Sequence, residues 1–152
     1  MAQRGLPTKK PTALVCGMLE DNGRVLFLVR KDHHGTERIE LPSVLVFSSV
    51  NAVSELANEF KRQTGIDGQI RESIIDTRHN AGSRRKKFFV PVLVFKVTAK
   101  NRTAKPSSEF SGFRWLSLED AKQQKVDRKL EWIDSITTII CNRMDGAIEG
   151  TY

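Results

Sequence analysis

Leu41–Ile66 reads LPSVLVFSSVNAVSELANEFKRQTGI, and its signals come in a fixed succession. Leu41-Pro42 marks a turn, because the proline ring fixes its own backbone and restricts the residue before it. A short apolar run follows. From Asn51 the period changes: Val53, Leu56, Ala57 and Phe60 fall at i, i+3, i+4 and i+7, which predicts a helix over Asn51–Thr64 with one apolar stripe. Ser48, Ser49 or Asn51 is suited to cap its start, and Gly65 to end it. On the polar side, Glu59, Arg62 and Gln63 stand at i, i+3 and i+4 and share one patch, with Glu55 one turn earlier. That patch carries one negative charge, one positive charge and one neutral amide.

Strand signals flank this helix. Thr12–Leu19 and Arg24–Arg30 are apolar runs joined through Asp21-Asn22-Gly23, and the Asn-Gly pair suits the positive φ of a tight hairpin turn. Lys31–Glu37 is a polar loop, and Arg38–Leu41 a short strand. Beyond the helix, Gln69–Arg78 is a weaker strand. Lys87–Thr98 is nearly continuous in apolar residues, which predicts a strand buried on both faces. Arg78–Lys86 between them is a hairpin loop, Lys100–Ser108 another loop, and Gly112–Leu116 a closing strand. Ser117-Leu118-Glu119-Asp120 has the pattern of a helix N-cap. A longer helix, about Asp127 to Met144, places Leu130, Ile133, Ile136 and Ile140 on one side. Strands, helix, strands, then helices predict one α+β domain with a mixed sheet between helical layers.

At 152 residues the chain suits a single domain, and 39% hydrophobic with 28% charged residues is the balance of a folded one. No apolar run reaches the roughly 20 residues that span a bilayer, so no membrane partner is expected. Residues 1–11 read as a flexible basic leader without a secretory pattern, and residues 145–152 as a tail. Cys16 and Cys141 lie in apolar patterns and read as buried free thiols of a cytoplasmic protein. The net charge of +7 favours an anionic partner, either a nucleotide or other phosphate-bearing molecule or RNA. Its densest block is Arg84-Arg85-Lys86-Lys87. His33, His34 and His79 read as loop residues, and Trp115 and Trp132 as core.

With these residues in view, the chain resembles a Nudix hydrolase domain over roughly Thr12–Arg143. The family pattern is G-x5-E-x7-R-E-U-x-E-E-x-G-U, entered through Leu-Pro-Gly-Gly. Anchored at Leu41-Pro42 and at Gly65-Ile66, it fits without a gap. The resemblance implies a Nudix-type α/β/α sandwich, with the domain over 12–144, and hydrolysis of a nucleoside diphosphate linked to a further group. Mg²⁺ or Mn²⁺ held by helix glutamates would serve it, since such cations need carboxylate oxygens. Homodimers are also common in the family.

The box is degenerate. Glu59 matches the first glutamate of the Arg-Glu pair, but its arginine is Asn58 and the two later glutamates are Arg62 and Gln63. The early glutamate is Val50, and the two glycines are Ser43 and Val44. Glu109, six residues before Trp115, falls where some members carry an auxiliary carboxylate. The expectation is a fold that binds a nucleotide or nucleoside-diphosphate ligand with weak or absent hydrolysis and no metal. In that reading Arg62, Gln63, Arg30, Arg84, Arg85 and Lys86 contact phosphate, and Val44 crowds the loop that nears it. One alternative is an active hydrolase with a rearranged site of Glu55, Glu59 and Glu109, using Mg²⁺ or Mn²⁺ at Glu59. The other is an RNA- or protein-interaction module working through the basic loop.

Overall fold

A computed structural model describes residues 11–31, 33–47, 51–80, 82, 83 and 85–123. The helix expected over 127–144, with Trp132 and Cys141, lies outside them, as do Arg84, most of the basic leader and the tail. Seven strands and two helices follow in order: β1 (Pro11–Asp21), β2 (Arg24–Lys31), β3 (Glu37–Glu40), β4 (Ser43–Phe47), α1 (Ala52–Thr64), β5 (Gln69–Asn80), β6 (Phe89–Thr98), β7 (Gly112–Leu116) and α2 (Leu118–Gln123). Asn22 at φ 55° and Gly23 at φ 77° make the β1–β2 turn, as the Asn-Gly pair predicts.

The strands form one mixed sheet in the order β3-β2-β1-β6-β5, with β4 beside β1 and β7 beside β2. The pairing of β1 with β6 is parallel, Leu14 opposite Val92 through Leu19 opposite Val97. β1 is buried on both faces, and alternate side chains serve different layers. Val15 and Leu19 join Leu56 and Phe60 of α1. Cys16 and Met18 join Phe27, Val29 and, from α2, Leu118 and Ala121. The described helices therefore cover opposite faces, the α/β/α sandwich with a central mixed sheet. Gly17 points at α1, where a Cβ would meet Phe60 Cδ2 at 2.8 Å, so glycine lets the helix approach this closely.

The sequence expectations need four amendments. His79, read as a loop residue, lies in β5 opposite Val90, so the strand runs past Arg78. Ser43–Phe47, a short run before the helix on sequence grounds, is strand β4, with Val44 opposite Val15. Val44 thus packs in the sheet instead of crowding a phosphate loop, as suits a β-branched residue beside an apolar strand. β6 is not buried on both faces along its length: Val90, Val92, Val94 and Val97 are buried, whereas Phe89, Pro91 and Lys96 are exposed. On α1 the buried side is Leu56, Phe60, Gln63 and Thr64, while Val53 is 43% exposed. The two polar residues are tolerated there because they are satisfied. Thr64 Oγ1 donates to Phe60 O at 2.6 Å and accepts from Ile66 N at 3.1 Å. Of the three cap candidates Asn51 does the work, its Oδ1 accepting from Ser54 N at 3.0 Å, and Gly65 closes the helix at φ 75°.

Candidate functional site

The last two turns of α1 and the Lys100–Ser108 loop build the site together. Helix C-termini leave carbonyls without partners, and here the loop supplies the donors: Lys105 N bonds Thr64 O at 2.7 Å, and Ser107 N bonds Gln63 O at 3.1 Å. Phe110 N then turns back to Ser107 O, and Ser111 N anchors to Val29 O of β2. Glu109, held between these anchors, is carried to the Glu59 face of the helix.

Arg62 spans the two carboxylates. Its Nε and Nη2 donate to Glu59 at 2.9 to 3.1 Å, and its Nη1 donates to Glu109 Oε1 at 2.7 Å. Ser107 Oγ also donates to Glu109 Oε1, at 2.8 Å. Arg30 Nη2 lies 4.0 Å from Glu109 Oε2, while Arg30 Nε donates to Glu40 at 2.8 Å and its guanidinium sits 4.7 Å from the centre of the Phe110 ring. Gln63 is buried. Its Nε2 donates to Ser43 O at 2.8 Å and to Glu59 Oε1 at 3.0 Å, and its Oε1 accepts from Ser43 N at 3.3 Å. It clasps the backbone where β4 begins, leaving little of the amide for a ligand.

Glu59, Arg62, Glu109 and Arg30 therefore converge, as do Glu40, Ser107 and Phe110, which sequence reasoning missed. Glu40 is one alternation beyond Arg38 on a short strand, and only pairing with β2 turns it toward Arg30. Ser107 and Phe110 are placed by the loop's bonds to α1 and leave no local signal. Glu55 stays apart, in the first turn of α1, where a carboxylate complements the helix dipole. Arg85 and Lys86 are exposed at the far end of the sheet. Ser43 is level with Val94 through Cys16, whereas the β5–β6 loop begins beyond Phe89, roughly 16 Å away along the strand. His33 and His34 are exposed and near each other, ring centres 3.9 Å apart, Trp115 packs against the Phe60 cluster, and Cys16 is a buried free thiol pushed up to about 12 by burial and by Glu40.

The charges respond to this geometry. Hydrogen bonding from Arg62 holds the Glu59 and Glu109 carboxyls below the usual carboxylate range, with Gln63 and Ser107 assisting. Arg62 is in turn raised by the same bonds. Because both carboxyls have lower values in the folded state, the unfolded chain binds more protons below about pH 4.5. Their contribution is complete above that pH and is lost as acid carries the protein through the folded values. The side chains are 25% to 50% exposed, so the effect is small, on the order of 1 kcal/mol or less. Urea midpoints of wild type and Arg62→Gln should differ at pH 6 and draw together as the pH falls below about 4.5; a constant gap would refute these pairings.

Divalent ions fit this arrangement poorly. Mg²⁺ and Mn²⁺ need several converging oxygens, but Glu59 and Glu109 already close on a guanidinium. Among the described residues no group of three or more His, Cys, Asp or Glu side chains could hold a metal. An open cleft of about 530 Å³ lies past Gly65, lined by Asp67, Gln69, Arg71, Lys100 and Asn101 among others and by none of Glu59, Arg62, Glu109 and Arg30. Among the described residues no helix is long and apolar enough to cross a membrane.

No protein-family model matches the sequence, and no curated protein does either. Solved structures do. A MutT protein from Methanosarcina mazei is 21% identical, covering 91% of this chain and 99% of its own at a TM-score of 0.64. A Nudix hydrolase from Nitrosomonas europaea is 12% identical, covering 88% and 91% at 0.61. The Nudix domain of a Shewanella oneidensis protein, solved with ADP-ribose, is 17% identical, covering 76% and 79% at 0.52. At these identities the likeness establishes the fold, and the chain has the Nudix fold.

Proposed function

We propose that this Nudix-fold chain binds a nucleotide or nucleoside-diphosphate ligand without a divalent ion, with weak or absent pyrophosphohydrolase activity. The observation that carries the reading is the Arg62 guanidinium, which bonds both Glu59 and Glu109. A fixed cation there neutralises the carboxylates internally and takes the space where a metal would need their oxygens. Pyrophosphate hydrolysis without a metal lacks the charge that stabilises the leaving phosphate, so catalysis is the property expected to suffer. Binding has separate support. A neighbour in fold holds ADP-ribose, the chain carries a net charge of +7, and the cleft past Gly65 has the volume of a small-molecule site. Arg85 and Lys86 are not among the residues that line this cleft.

Thermal shift with ADP-ribose, run with and without Mg²⁺, tests the proposal. Stabilisation should be present and indifferent to the ion. Metal-dependent release of a nucleoside monophosphate that vanishes in Glu59→Gln would overturn it and favour a rearranged active hydrolase instead.

A further inference from the structure

Arg38 carries a charge without a counterion among the described residues. It lies on β3 opposite Arg30 of β2, so the two side chains start from one cross-strand pair on the same face, an arrangement that repels unless an anion intervenes. Arg38 is only 8% exposed, and its Nε has no hydrogen-bond partner among the described residues. The nearby acids are already engaged: Glu40 accepts from Arg30, and Glu59 and Glu109 accept from Arg62. Each of these three carboxylates is thus bonded to an arginine other than Arg38. A buried guanidinium N–H left without an acceptor is costly, and among the described residues nothing meets Arg38 Nε.

We propose that Arg38, with Arg30 beside it, is a phosphate-binding subsite on the β2–β3 face. The planar guanidinium offers parallel N–H donors that match two phosphate oxygens. Arg30 is fixed by Glu40 and by the Phe110 ring, so it supplies a positioned second charge. The phosphate belongs to the ligand proposed above, and the inference rests on that reading for the rest of the molecule. Its own content is narrower: the anionic group is recognised from the sheet, apart from the Arg62 bridge.

The experiment measures melting temperature and affinity for inorganic pyrophosphate and for ADP-ribose in wild type, Arg38→Met and Arg38→Lys. Arg38→Met should melt no lower than wild type without ligand, because an apolar side chain replaces an unpaired buried charge. Its affinity for pyrophosphate should fall roughly ten- to a hundredfold, the loss of charged hydrogen bonds. Arg38→Lys keeps the charge and should retain part of the binding, and it stands in if the methionine variant fails to fold. Equal pyrophosphate affinity in wild type and in a folded variant of either kind overturns the subsite, as does absence of pyrophosphate binding in wild type. ADP-ribose separates the two readings. If it binds wild type and Arg38→Met alike, the subsite fails and the nucleotide reading stands. If pyrophosphate binding depends on Arg38 and ADP-ribose does not bind, the subsite stands and the nucleotide reading fails.

Discussion

Arg62→Glu is expected to convert a protein indifferent to Mn²⁺ into one that Mn²⁺ stabilises. The substitution removes the guanidinium that joins Glu59 to Glu109 and puts a third carboxylate in its place. Without metal the variant should be less stable than wild type, because three like charges then converge where one cation balanced two anions. With metal the order should reverse. A ligand that binds only the folded state stabilises it by about 2.7 kcal/mol at a hundred times its dissociation constant. A rise of several degrees in melting temperature with millimolar Mn²⁺, absent in wild type, is the result to look for. Gln63 is left alone in this design, although the family pattern has glutamate there. Its amide donates to Ser43 O and accepts from Ser43 N, and a carboxylate would oppose that carbonyl. A variant that stays blind to Mn²⁺ would show that the Glu59–Glu109 geometry cannot hold a metal even when its charge is restored.

Phe60→Ala should cost about 3 to 5 kcal/mol, measured by urea denaturation. Phe60 is fully buried and packs with Leu19, Leu26, Ile66 and Val97, so it ties α1 to both β1 and β2. The backbone around it has yielded at two points, Gly17 in β1 and Gly68 in the connection before β5, where a Cβ would come within 2.8 or 3.2 Å of its ring. Strand backbone at Gly17 limits collapse on that side, which places the cost toward the upper end of the range. A loss under about 1 kcal/mol would mean that the helix is held to the sheet by something other than this ring.

Much of the architecture was legible because periodicity and turn chemistry are local. The Asn22-Gly23 turn, the stop at Gly65, the cap at Ser117 and the strands on either side of α1 each rest on a few neighbouring residues. Ser117 Oγ does accept from Asp120 N, at 3.1 Å. Strand β4 was harder. Ser43–Phe47 has β-branched and aromatic residues, but it is a strand only because the edge of β1 lies beside it. Val53 carries the helical period and is nevertheless 43% exposed, because the face α1 buries is set by Leu56 and Phe60.

For the site, sequence alone determined that the helix face of Glu59 has a reversed charge at Arg62, since residues three apart on a helix must be neighbours. Tertiary structure decided what that charge touches. Glu109 is 47 residues away in sequence and reaches Arg62 only because the Lys100–Ser108 loop donates to the last carbonyls of α1. Gln63, by its spacing a member of the same exposed patch, was turned to the Ser43 backbone by the packing of α1 on β4. Arg38 was read as a strand residue and nothing more. Its burial opposite Arg30 follows from the β2–β3 register, and a register between distant segments is set by which faces the whole fold must bury.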